Sequence, residues 1–189
     1  EIEDGCSSKI EECNVERTGI DFFASIGLFG RHANIINNSI KNAPYMGINA
    51  GGNGVLVEKN IVSNVMKKLN DGAAIYTIGY TGGTIRGNII RDIKRSERHD
   101  SKKSAIYLDE NSGQWTVEKN IIVECDYPFF CHMTREGNLF VNNVALSENS
   151  HEINILCLRS KLLSFENNII KCNNDIIFHL TSGAIKTIN

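Results

Sequence analysis

Proline is nearly missing from this chain, with two in 189 residues, and tryptophan occurs once. Proline cannot donate to a ladder of backbone hydrogen bonds, so its scarcity leaves the chain free for strand pairing. No run of about eighteen apolar residues occurs, which excludes a membrane-spanning helix. Roughly the first thirty residues lack the basic, apolar and small-residue order of a secretory leader. None of the six cysteines, Cys6, Cys13, Cys125, Cys131, Cys157 and Cys172, belongs to a C-x-x-C pair. Cysteine-based zinc or redox sites are therefore not expected, and most of these thiols sit in apolar patterns as small hydrophobes. Excess charge is lacking too: twenty basic against twenty-two acidic side chains leave a net of −2. Too little positive charge remains for phosphate neutralisation, and a nucleic-acid partner is not expected.

Asparagine is what the chain has in excess, with 23 residues. One motif accounts for much of it: an apolar residue, two variable residues, then Asn. It reads Ile35 to Asn38, Val57 to Asn60, Ile85 to Asn88, Val117 to Asn120, Phe140 to Asn143 and Phe165 to Asn168, with Cys13 standing where the first Asn would be. Successive intervals are 25, 22, 28, 32, 23 and 25 residues, the period of a solenoid coil carrying insertions. A second apolar run follows each motif: Ile20 to Phe23, Met46 to Ile48, Ala73 to Thr77, Ala105 to Leu108, Phe129 to Met133, Ile153 to Leu158 and Ile176 to Leu180. Each coil thus offers at least two short strands bounded by turn residues. The expected fold is an all-β, right-handed parallel β-helix of about seven coils, one domain over residues 1–189. Asn tolerates left-handed backbone, and its amide can bond the coils on either side, so these residues are read as a stacked ladder. The chain begins without methionine and neither end carries a capping helix, so a segment of a longer chain is expected.

Two stretches break the period: Met66 to Asp71, and Arg91 to Ser104 with six basic and three acidic side chains. Insertions on a repetitive scaffold tend to carry function. The flanking segments read DGAAIYTIGYTGGTIRGN (71–88) and SAIYLDENS (104–112). With Ile75, Thr77, Ile106 and Leu108 inward, alternation turns Tyr76, Tyr107 and Asp109 outward. Pairing Phe129 with Ile106 then places Phe130 beside Tyr107 and His132 beside Asp109. An outward row of aromatics suits either sugar-ring stacking or a stabilising ladder.

Asp71–Thr77 with its continuation GGTIRGNIIRDI, and AIYLDENSGQWTVEKNII, resemble the β-helix domains of bacterial carbohydrate-active enzymes similar to glycoside hydrolase family 141, with Ala73 and Ala74 where that group has glycine. The resemblance implies α-L-fucosidase or xylanase activity on a complex polysaccharide, an extracellular or periplasmic setting, and Asp71 and Asp109 as catalytic carboxyls, with Tyr76, Tyr107, Glu110 and His132 binding substrate. Such a pair must stand roughly 5 to 9.5 Å apart. A straight strand would hold the two further apart than that, so a bend at Gly72 is expected. Glu110, through a bulge, or Glu97 or Asp100 from the insertion are the other carboxyls in reach. No metal or cofactor is expected for hydrolysis. A uronate lyase or epimerase, using Lys102, Arg98 or His99 and calcium, is the rival enzyme. A non-catalytic adhesin, carbohydrate-binding or tail-spike segment is the rival outside enzymology.

Overall fold

Every full coil contributes three short strands, and like strands stack into three parallel sheets of eight, seven and seven strands. The computed structural model describes residues 7–18, 24–94, 103–148, 152–173, 175–181 and 183–189, and no helix occurs among them. The coils wind right-handed. The third strand follows the ladder residue directly, as in Ser39–Lys41, Ile61–Ser63 and Ile89–Ile93. It is short and abuts the motif, so in sequence the two read as one apolar run. Of the second apolar runs, Ile20 to Phe23 lies outside the described residues.

Each sheet aims one aliphatic or aromatic row at the axis. In the eight-stranded sheet Ile10, Ile35, Val57, Ile85, Val117, Phe140, Phe165 and Ile188 stand in register. The second sheet stacks Val15, Ile40, Val62, Ile90, Ile122, Ala145 and Ile170. The third, which carries the candidate site, stacks Ile26, Ile48, Ile75, Ile106, Phe129, Ile155 and Phe178. Parallel strands about 4.8 Å apart bring identical side chains into contact. Toward the C-terminal coils phenylalanines take over the rows, Phe140 on Phe165 with ring centroids 4.6 Å apart. Trp115 is wholly buried, donates its indole N–H to the Tyr80 carbonyl at 2.9 Å, and lies where a side chain on Gly83 would collide with its ring.

The Asn ladder runs unbroken from Asn38 to Asn168. Each backbone N–H donates to the Oδ1 of the Asn in the next coil, from Cys13 to Asn38 and so on to Asn168, at 2.9 to 3.0 Å. Each side-chain N–H2 from Asn38 to Asn143 donates both to that Oδ1 and to a backbone carbonyl of the coil before. Asn60, Asn88 and Asn120 are fully buried, so these bonds satisfy groups that water cannot reach. The left-handed backbone, however, falls one residue earlier: Glu12, Asn37, Lys59, Gly87, Lys119, Asn142 and Asn167 have φ between 52° and 62°. The ladder Asn is thus selected for its amide, not its backbone, and the strained corner is left to whichever residue precedes it. A second left-handed corner recurs at Arg17, Asn42, Asn64, Asp92 and Glu124, where Asn64 donates to Asn42 and Asn42 to Glu16.

Candidate functional site

The third sheet is unusual on its outer surface. Its strands Gly72–Thr77 and Lys103–Leu108 are buried along both faces, and Tyr127–His132 along all but its last residue. The register pairs Tyr76 with Tyr107 and Tyr107 with Phe130, all on the outward side, and Leu108 with Cys131 inward. Tyr107 and Phe130 stack with centroids 4.2 Å apart, and Tyr76 meets Tyr107 edge-on at 5.1 Å. These rings are not an open platform for sugars: their exposures are 8%, 3% and 7%. The aromatic row is a wall, and only Tyr76 and Tyr107 give it polar tips.

Those tips converge on Asp109. Strand Lys103–Leu108 ends one residue before it, and alternation sets its carboxylate outward after Tyr107. The Tyr76 hydroxyl donates to Asp109 Oδ2 at 2.7 Å, and His132 Nδ1 lies 3.1 Å from Oδ1. Tyr107 reaches this group through its ring, edge-on to Tyr76 and stacked on Phe130. Burial, joined by this carboxylate, pushes both tyrosine hydroxyls far above their ordinary pKa, so they stay protonated as donors. The residues beyond Asp109 form a turn closed by Ser112 N–H donating to the Asp109 carbonyl at 3.0 Å, with Asn111 left-handed. This turn, not a bulge, brings Glu110 round: one ligand atom each from Asp109, Glu110 and His132 lies within 4.8 Å of the others.

Asp71 enters from the insertion after Met66. It is exposed and takes the left-handed conformation itself, φ 57°, so the bend expected at Gly72 sits one residue earlier. Gly72 is needed for space instead, since a side chain there would press on Met46, Met66 and Tyr45 at 3.0 Å. After burial and Asp109, the charge of Asp71 also raises the pKa of the Tyr76 and Tyr107 hydroxyls. The structure thus gathers Tyr76, Tyr107, Asp109, Glu110 and His132 into one cluster, while the Asp71 carboxylate makes no hydrogen bond to any of them among the described residues. Arg98, His99, Lys102, Glu97 and Asp100 lie outside the described residues.

Two residues had no sequence signal. Tyr45 donates its hydroxyl to the Asp71 carbonyl at 3.0 Å, and both Asp71 and Asp109 raise its pKa after burial does. It follows Pro44 in an irregular segment where no strand periodicity marks it. Asn49 pairs with Tyr76 one coil over, and its buried Oδ1 has no partner among the described residues.

A family described as the right handed beta helix region matches residues 24–189. The chain belongs to the right-handed β-helix family. Comparison with curated proteins and with solved structures returns no match. In this chain the candidate site occupies the outer face of one sheet, where outward residues of neighbouring coils gather without disturbing the ladder. No helix of the described residues is long and apolar enough to cross a membrane. Cys125, Cys131 and Cys157 are buried free thiols, Cys131 turned inward between Phe130 and His132, Cys13 and Cys172 are free at or near the surface, and Cys6 lies outside the described residues. Asp109, Glu110 and His132 offer a mixed carboxylate and imidazole set suited to a transition ion rather than calcium, which prefers oxygen alone. As they stand, Asp109 and His132 are bonded to each other.

Proposed function

We propose that the chain is a glycan-processing β-helix whose chemistry centres on Asp109, and that it hydrolyses glycosidic bonds of a complex polysaccharide. The observation that carries this reading is the carboxylate itself: 9% exposed, on an outward surface, with Tyr76 and His132 fixing one oxygen each. Positioned acceptors and donors of this kind restrict a carboxylate to one orientation, as an attacking group requires. Asp109 attacks the anomeric carbon, or takes a proton from the water that does. Asp71 protonates the glycosidic oxygen as its bond to that carbon breaks, and water supplies the proton and hydroxyl of the two products. Glu110 is the other candidate acid. The α-L-fucosidase-like or xylanase-like specificity rests on the resemblance of residues 71–125 to that hydrolase group.

A second reading is favoured by the Asp109–His132 pair, since a carboxylate-oriented imidazole is a general base. In a lyase or epimerase His132 would take the proton beside a uronate carboxyl. For a lyase the bond to the leaving oxygen then breaks, a carbon–carbon double bond forms, and the oxygen is protonated.

The test is a screen of the protein and of Asp109→Asn, Asp71→Asn, Glu110→Gln and His132→Gln on aryl fucosides, xylan and polyuronates, following reducing ends and ultraviolet absorbance. Hydrolysis predicts new reducing ends without absorbance, lost about 10²- to 10⁴-fold in Asp109→Asn and in whichever acid variant removes the proton donor. Absorbing product lost in His132→Gln supports the lyase, and turnover untouched by Asp109→Asn refutes both.

A further inference from the structure

A groove of about 700 Å³ opens directly beyond the Asp109 cluster, lined by the turns that follow the site strands. Its wall includes Asn111, two residues past Asp109, and Met133, the residue after His132, so site and groove are continuous along the chain. The volume lies in the range of ligand pockets. Three cations converge there: Arg135 from the turn after His132, and Arg159 and Lys161 from the next coil, where Leu158 pairs with His132. All three are exposed, and none has an ion-pair partner among the described residues, although Glu136 lines the same groove.

A second observation points to a ligand. Thr134 lines the groove, is 2% exposed, and its Oγ1 has no hydrogen-bond partner among the described residues. A buried hydroxyl without a partner costs stability, and a turn of the Thr134 side chain into the groove would let a ligand hydroxyl satisfy it. Gln114 adds a neutral amide to the same wall.

We propose that this groove binds an acidic sugar, carrying a carboxylate or a sulfate ester, beside the residue that reaches Asp109. The planar guanidinium fork of Arg135 or Arg159 matches either anion through two parallel hydrogen bonds. Thr134 and Gln114 take the hydroxyls that distinguish a sugar from a bare anion. A nucleic acid is not favoured: with a net charge of −2 the chain has no excess of positive charge beyond the groove to follow a phosphate backbone. The proposal rests on Asp109 as the centre of a glycan site and names the substrate class of that site.

The experiment is calorimetric binding of length-matched oligogalacturonate, sulfated galactan oligosaccharide, neutral xylo-oligosaccharide and single-stranded RNA to the full chain, the Arg135→Gln/Arg159→Gln variant, Thr134→Val, and Asp109→Asn. Circular dichroism first confirms that each variant is folded. One or both acidic oligosaccharides are expected to bind, more weakly as salt rises. The double arginine variant should weaken that binding at least about tenfold, and Thr134→Val should weaken it with no change in salt dependence. Which of the two binds identifies carboxylate or sulfate. Equal binding of the neutral xylo-oligosaccharide, tighter binding of RNA, or no effect of the arginine substitutions overturns the proposal. The two readings fail separately. Charge-dependent binding without turnover of any glycan would refute the hydrolase and leave the groove. Turnover of a neutral glycan that is lost in Asp109→Asn but unchanged in the arginine variant would refute the groove and leave the hydrolase.

Discussion

At the scale of single residues the protein turns on hydroxyls and amides placed where water is excluded. Tyr76 and Tyr107 have pKa values raised chiefly by burial and then by Asp109. A folded-state pKa above the unfolded value means that the native chain holds its proton longer, so the contribution to stability is complete below pH about 10 and is lost as pH climbs through the folded value. In an alkaline titration of phenolate absorbance, these two of the five tyrosines should stay silent until the protein unfolds. Tyr76→Phe/Tyr107→Phe should leave the early part of the curve unchanged, and a smaller early amplitude in that variant would contradict the burial. The row was legible in sequence as an outward alternation, and the pairing of Ile106 with Phe129 fixed its register. Its burial was not, because alternation says which way a side chain points and nothing about what covers it. Glu110 was legible as a partner of Asp109 but by the wrong device, a bulge, since the turn that swings it round depends on a backbone bond from Ser112.

At the scale of the repeating element, the Asn ladder was the clearest sequence signal because it obeys one chemical demand at one position per coil. Its partner feature was hidden. The left-handed corner before it is filled by Glu, Asn, Lys and Gly alike, so no residue type announces it. The ladder's energetics are testable by position. Asn88 is fully buried and its side chain serves four hydrogen bonds, to Asn60 twice, to Val57 and to Asn120. Asn168 is half-buried and serves three. Asn88→Ala should cost about 3 kcal/mol in urea denaturation, and Asn168→Ala about 1 kcal/mol, since water replaces the lost partner only where it can enter. Equal losses would mean that the amides act independently of burial.

At the scale of the molecule each coil touches only its neighbours, so stability is expected to grade along the axis rather than to be uniform. The outermost strands described at the C-terminal side, Asp175–Leu180 and Ile185–Ile188, leave Ile176, Phe178, Leu180 and Ile188 exposed. Amide hydrogen exchange should therefore be fastest in these two strands and slowest through Gly72–Thr77 and Lys103–Leu108, buried on both faces. Uniform exchange throughout would instead indicate one all-or-none unit.

Between one ladder Asn and the next the chain uses anything from 22 to 32 residues, yet the three sheets resume their pairing each time, with a single register irregularity among the described residues, at Leu163/Ser164. The ladder behaves as a reading-frame mark: whatever is added or removed within a turn is cancelled by the next amide, and no error is carried forward. Insertions and deletions are thus quarantined in the coil where they arise. A lineage built this way can rewrite the loops around Asp109 one turn at a time, lengthening or exchanging them for a new ligand, while the rest of the solenoid never registers the edit.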